Sequence, residues 1–105
     1  MHNVLGVDLT ITNILESHMD LTVHCKSADD DLGVRVLQFN QRFGFSFKDR
    51  FIGRTQFYCS FQWNGEIKWF DVYIEGRGEY KGEHVNWFIE ETGPCRSGIC
   101  YEWNK

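Results

Sequence analysis

Along most of this chain, apolar side chains recur at every second position in short runs, and each run ends in turn chemistry. Side chains on a strand point alternately to opposite faces, whereas a helix repeats about every 3.6 residues, so the pattern specifies pleated sheet with one buried face. Val7, Leu9 and Ile11 alternate with Asp8, Thr10 and Thr12. Asn13 to Asp20 reads as a turn, after which Leu21, Val23 and Cys25 alternate with Thr22, His24 and Lys26. Ala28-Asp29-Asp30-Asp31 is a second turn, because aspartate side chains bond to nearby backbone amides. A third strand is expected around Leu32 to Leu37, and Phe43, Phe45 and Phe47 then point one way from a backbone whose other face, Gly44 and Ser46, is almost bare.

The strongest strand signal is Phe57, Cys59, Phe61 and Trp63 alternating with Tyr58, Ser60 and Gln62. It runs into Asn64-Gly65, the dipeptide of a type I′ hairpin, whose two central residues need positive φ. Strands 55–63 and 67–74 should therefore pair. Val85, Trp87 and Ile89 rebuild an inward face, Gly93-Pro94 breaks it, and Ile99 to Trp103 can supply a last short strand. Nine Phe, four Tyr and four Trp, beside the single alanine Ala28, favour strand over helix. The expected fold is all-β, an antiparallel β-sandwich of about seven to eight strands in one domain spanning 1–105.

Charge and length exclude several functions. Fifteen acidic against eleven basic residues give a net charge of -4, the wrong sign for a phosphate-neutralising surface, so nucleic acid is not an expected partner. No apolar run reaches the roughly 18 residues of a spanning helix, so membrane insertion is not expected. The four cysteines, an even count with no Cys-x-x-Cys pair, read as two disulfides and hence as a protein outside the cytosol. Cys25 and Cys59 lie on the inward faces of two strong strands, where a bridge could tie the two sheets together, and Cys95 and Cys100 are close in sequence. Three connectivities are open; Cys25 with Cys59 and Cys95 with Cys100 is the favoured one. The opening Met1-His2-Asn3-Val4-Leu5-Gly6 has neither the basic nor the apolar region of a signal peptide, so the chain reads as a mature form behind an added initiator methionine.

Motifs for catalysis or metal binding are weak. Asp29, Asp30 and Asp31 lack the alternate spacing, central glycine and terminal glutamate of a calcium loop. His2, His18, His24 and His84 show no zinc spacing, so no metal is assigned. Glu90-Glu91, as neighbours on a strand, face opposite ways and read as the polar end of that strand rather than an acid and base. Gly76, Gly78 and Gly82 miss the dinucleotide-binding spacing, no nucleophile elbow is present, and neither a cofactor nor an enzymatic activity is expected. Among the tryptophans, Trp63, Trp87 and Trp103 read as core. Trp69 with Tyr73 should face away from the core, opposite Phe70, Val72 and Ile74, which would make a contact surface.

Val23-His24-Cys25-Lys26-Ser27 followed by Asp29-Asp30-Asp31-Leu32-Gly33, then Phe45-Ser46-Phe47 and Phe57-Tyr58-Cys59-Ser60-Phe61-Gln62-Trp63, resemble the plant self-incompatibility S-protein family. Trp69-Phe70-Asp71-Val72-Tyr73, Trp87 with Ile89, Gly93-Pro94-Cys95 and Cys100-Tyr101-x-Trp103 follow in that family's order. The resemblance implies a small secreted plant protein with two disulfides and a β-sandwich, acting as a non-catalytic signal perceived by a protein receptor at a plant cell surface. Glu75 to His84, charged and glycine-rich, matches no motif of the family and reads as a long loop. A rigid scaffold can present such a loop for recognition, so Arg77, Glu79, Tyr80, Lys81 and Glu83 are the expected partner contacts. A monomer is expected. The alternative function is a defence effector or toxin acting on microbial envelopes, against which the negative charge argues.

Overall fold

The computed structural model of the protein describes residues 6–48, 55–74 and 84–103. Nine strands lie in these residues: β1 Gly6–Asn13, β2 Leu21–Lys26, β3 Asp31–Leu37, β4 Arg42–Lys48, β5 Gln56–Trp63, β6 Glu66–Ile74, β7 His84–Glu90, β8 Gly93–Arg96 and β9 Ile99–Cys100. They form two sheets, a five-stranded one in the order β4-β1-β7-β8-β9 and a four-stranded one in the order β3-β2-β5-β6. The chain passes between sheets after β1, β3, β4 and β6, so the two layers are knitted by connections at their ends rather than built one after the other.

Alternation places the core. Val7, Leu9 and Ile11 of β1 and Val85, Trp87 and Ile89 of β7 face Leu21, Val23 and Cys25 of β2, Phe57, Cys59 and Phe61 of β5, and Phe70 and Val72 of β6, all of them buried. Phe43, Phe45 and Phe47 close the core along edge strand β4. Their bare opposite face has a consequence: a Cβ added at Gly44 would sit 3.2 Å from Thr10 Cγ2 on the neighbouring strand. The Asn64-Gly65 hairpin forms as expected, with φ of 50° and 77° at its two central residues.

Three features differ from the sequence expectation. The sandwich is antiparallel except for β1 and β7, which pair in parallel, Leu9 opposite Val85 and Ile11 opposite Trp87. Gly93-Pro94 does not break the sheet; it opens the four-residue β8, antiparallel to β7, and only Ile99–Cys100 of the last segment is strand. Residues 101–103 instead fold back over the core. Tyr101 N–H donates to Pro94 O at 2.8 Å, and a Cβ at Gly93, whose φ is 151°, would lie 1.8 Å from Tyr101 O. Only glycine permits that approach.

The disulfides join Cys25 to Cys59 and Cys95 to Cys100. The first does not tie the sheets together. Cys25 and Cys59 are opposite one another on adjacent strands β2 and β5 of the same sheet, 4.0 Å apart at Cα. Alternation fixes the face on which a residue lies but is silent about which layer its strand joins, so two inward cysteines can be neighbours as readily as opposites. Cys95 and Cys100 likewise bridge β8 to β9 within the other sheet. The layers are held to one another by apolar packing. At one open flank the Arg35 guanidinium lies 4.8 Å over the Phe43 ring, and at the other Arg96 lies 5.4 Å from the centre of Trp87. Each covers a core ring that the sheet edges leave open.

Candidate recognition surface

Trp69 and Tyr73 part company in the structure. Trp69 is 47% exposed on the outer face of β6, whereas Tyr73 is buried, 1% exposed, and packs edge-on against Phe47 at 4.9 Å. The cause is a register shift in the β5–β6 ladder between Phe57 and Tyr58: Phe57 pairs with Tyr73, and Tyr58 with Asp71. The extra residue on β6 lets Val72 and Tyr73 both turn inward. It also coincides with the Val72 carbonyl that accepts the Trp87 indole N–H at 2.8 Å inside the core.

Trp69 belongs to a continuous outer face of the four-stranded sheet. Cross-strand pairing sets out its rows: Val36, Thr22, Gln62 and Ile67 in one, Val34, His24, Ser60 and Trp69 in the next, and Asp31, Lys26, Tyr58 and Asp71 in the third. Val34 and Val36 are 60% and 59% exposed on edge strand β3, and Ile67 is 52% exposed on edge strand β6. The face thus has two apolar rims with hydroxyl, amide and imidazole groups between them. His24 Nε2 meets Asp31 Oδ1 at 2.7 Å, and that oxygen also accepts the Gly33 N–H at 2.9 Å. The Gly33 amide first, and His24 second, hold the Asp31 carboxyl below its ordinary range.

The outer face of the five-stranded sheet is polar except at Phe88, 39% exposed opposite Cys95. Ser46, Asp8 and His84 share one row of it. The Ser46 hydroxyl donates to Asp8 Oδ1, and His84 Nδ1 lies 3.5 Å from Asp8 Oδ2. These are the residue types of a hydrolytic triad in the wrong order: the carboxylate sits in the middle and, among the described residues, no imidazole touches the serine to activate its hydroxyl. In the next row Thr10 Oγ1 donates to Asn86 Oδ1 at 2.6 Å. Glu90 lies beside Cys95 and Cys100, three groups with ligand atoms within 4.8 Å, but both sulfurs are spent in the disulfide.

The turn between β1 and β2 is built by two residues to which sequence reasoning gave no such role. Asn13 is fully buried; its amide nitrogen donates to Met19 O and Leu37 O, both at 2.9 Å, and its Oδ1 accepts the Leu15 N–H at 2.9 Å. Its signal was present, because Asn13 is the next inward position after Val7, Leu9 and Ile11. Glu91, read as a strand end, caps the same turn by accepting the amides of Glu16 at 2.8 Å and Ser17 at 3.1 Å. Partial burial pushes its carboxyl up, but the Glu16 and Ser17 donors outweigh it and the net shift is down. His18, at φ 64°, stacks on Phe39 with ring centres 3.6 Å apart, and the pair lines a cleft of about 360 Å³ with Glu16, Glu90 and Glu91. Trp103 is half-buried, its indole N–H on Glu91 O at 2.9 Å and its ring against Phe61 and Trp63.

Arg77, Glu79, Tyr80, Lys81 and Glu83, the partner contacts expected from the sequence, lie outside the described residues, as does His2. What the structure fixes is where that segment is anchored: it leaves β6 after Ile74 and re-enters at His84 of β7, in the other sheet.

The comparisons with known proteins agree with this architecture. The family model of plant self-incompatibility protein S1 matches residues 8–103. S-protein homolog 3 of Arabidopsis thaliana is 41% identical, with 90% of this chain and 70% of that protein covered. S-protein homolog 19 of the same plant is 37% identical, covering 94% and 77%. A solved structure of a self-incompatibility protein homologue, from a widespread family of small, highly stable, secreted plant proteins, shares the fold: TM-score 0.72 at 18% identity over 98% of both chains. On the match over residues 8–103 and the identities to its curated relatives, the chain belongs to the plant self-incompatibility protein S1 family.

Proposed function

We propose that this protein is a secreted, non-catalytic plant signalling ligand, recognised by a protein receptor at a cell surface. The observation that carries the reading is family membership across nearly the whole fold. Secretion is supported by the two disulfides and by the description of the structurally similar plant protein as secreted. The described surface supports a recognition role over chemistry: among the described residues the Ser46–Asp8–His84 row brings no imidazole to the serine, and Val34, Val36, Ile67 and Trp69 lie exposed on an open sheet face. The receptor contacts are assigned to Arg77, Glu79, Tyr80, Lys81 and Glu83, on a segment both of whose ends are fixed in strands.

The test is binding of the purified, oxidised protein to plant plasma membranes, run beside a dye-release assay on anionic vesicles. Saturable, protease-sensitive binding with intact vesicles is expected. Absence of saturable sites, or dye release at low protein concentration, would replace the ligand reading with that of a membrane-active toxin.

A further inference from the structure

We propose that the Cys95–Cys100 disulfide is an exchange site for a dithiol reductant, and that its opening releases residues 99–103 as a flap from the core while the sandwich stays folded. The two bridges differ in access. Cys25 and Cys59 are both 0% exposed, inside the core. Cys95 instead pairs with Phe88, an outward position of β7, and Cys100, directly opposite Cys95, is exposed. Exchange requires a thiolate to reach one of the bonded sulfurs, so the outer bridge is open to attack in the native protein and the inner one only after the core has opened. Global opening is populated at roughly one part in a thousand or less. The Glu90 carboxylate, within 4.8 Å of both sulfurs of the outer bridge, repels an arriving thiolate, but one charge at a wet surface slows that step by only about tenfold. Access therefore decides the order of reduction.

The reaction is an ordinary thiol–disulfide exchange. A thiolate of the dithiol attacks the exposed Cys100 sulfur; a mixed disulfide forms, the bond to Cys95 breaks, and Cys95 leaves with the electron pair and takes up a proton. The second thiol of the reductant, on losing its proton, attacks its partner sulfur in the mixed disulfide and expels Cys100, which is protonated in turn. Two electrons and two protons pass to the protein, and the dithiol becomes a disulfide. A monothiol lacks the second step, so its mixed disulfide is reversed by Cys95.

What else holds the flap is sparse and noncovalent. β9 is two residues long and, among the described residues, pairs with β8 alone. The turn between them sets Ser97 at φ 53° and Gly98 at φ 80°, and the left-handed region disfavours the serine. Beyond Cys100, Tyr101 N–H donates to Pro94 O and the Trp103 indole to Glu91 O. Their rings lie over the core, Tyr101 5.6 Å from Trp87 and Trp103 5.3 Å from Phe61. Cutting the bridge leaves these contacts to close a short segment against its own chain entropy, so the flap opens and uncovers Phe61, Trp63, Phe70 and Trp87. The Cys25–Cys59 bridge and the apolar packing of the two sheets are untouched. Reduction thus unmasks an aromatic surface that the oxidised protein keeps covered.

Limited reduction tests this. The oxidised protein is treated with dithiothreitol under mildly alkaline conditions, free thiols are alkylated at intervals and located by mass spectrometry, and amide and indole NMR signals and the binding of an apolar dye are followed. Cys95 and Cys100 should become reactive roughly a hundredfold faster than Cys25 and Cys59. The partly reduced protein should keep the amide signals of β1, β2, β5 and β7, lose the exchange protection of the Trp103 indole N–H, and bind the dye. Replacing the reductant with a small-molecule disulfide should restore the closed spectrum. The double variant Cys95→Ala, Cys100→Ala should show the open spectrum and dye binding with no reductant present; should it not fold, limited reduction of the parent protein carries the test. Equal rates at the two bridges, earlier reduction of Cys25–Cys59, a Trp103 indole that stays protected after Cys95–Cys100 is cut, or loss of all native amide signals at that step would each overturn the proposal.

Discussion

At the scale of single residues, the fold depends on polar groups whose partners alternation does not reveal. Replacing Asn13 by alanine strands the Met19 and Leu37 carbonyls and the Leu15 amide, so Asn13→Ala should lower unfolding free energy by about 3 kcal/mol in denaturant titration, with function of the surface untouched. Glu91 gives a pH signature. Its carboxyl titrates below the ordinary value of 4.5 in the folded chain, so the folded state binds fewer protons than the unfolded one in that range. The stability it contributes is complete above about pH 4.5 and fades as the pH falls through the folded value. Melting temperatures between pH 3 and pH 6 should therefore fall less steeply on acidification in Glu91→Gln than in the parent. The inward position of Asn13 was legible from alternation, but the bonds it makes, like those of Glu91, were not, because a buried asparagine and a turn-capping glutamate look like any polar residues until the backbone they satisfy has been folded around them.

At the scale of elements, the strands themselves were legible, and their neighbours were legible only where the Asn64-Gly65 hairpin joins them. Runs such as Phe57-Tyr58-Cys59-Ser60-Phe61-Gln62-Trp63 and the Asn64-Gly65 turn carry their conformation locally, so β5, β6 and their hairpin follow from residue types alone. The parallel pairing of β1 with β7 joins segments far apart in the chain and leaves no local mark. The shift that buries Tyr73 is a ladder property, invisible to a period of two. The same limit concealed that Cys25 and Cys59 are sheet neighbours. Their bond closes a 34-residue separation and the other one of five residues, so in the chain-entropy description they contribute roughly 3.8 and 2.2 kcal/mol. Removing Cys25 and Cys59 together, as alanines, should accordingly lower the melting temperature more than removing Cys95 and Cys100; the reverse order in calorimetry would mean that the short β8–β9 bridge, through residues 101–103 and Trp103, holds the core closed.

At the scale of the whole molecule, two sheets each riveted within themselves pack through an apolar core, and the proposed recognition role falls to what lies outside that core. The net charge of -4 is the wrong sign for attraction to anionic lipid or nucleic acid, which is why the proposed counterpart is a protein. The family was legible from linked motifs, since cysteines, aromatic runs and turns occur in a fixed order; the counterpart was not, since the segment proposed to contact it matches none of those motifs. The direct test is competition for sites on plant plasma membranes between labelled protein and a triple variant, Arg77→Ala, Tyr80→Ala and Lys81→Ala, whose melting temperature equals that of the parent. Unlabelled parent protein should displace the label while the variant fails to do so at tenfold higher concentration; displacement by both at the same concentration would contradict recognition through this segment.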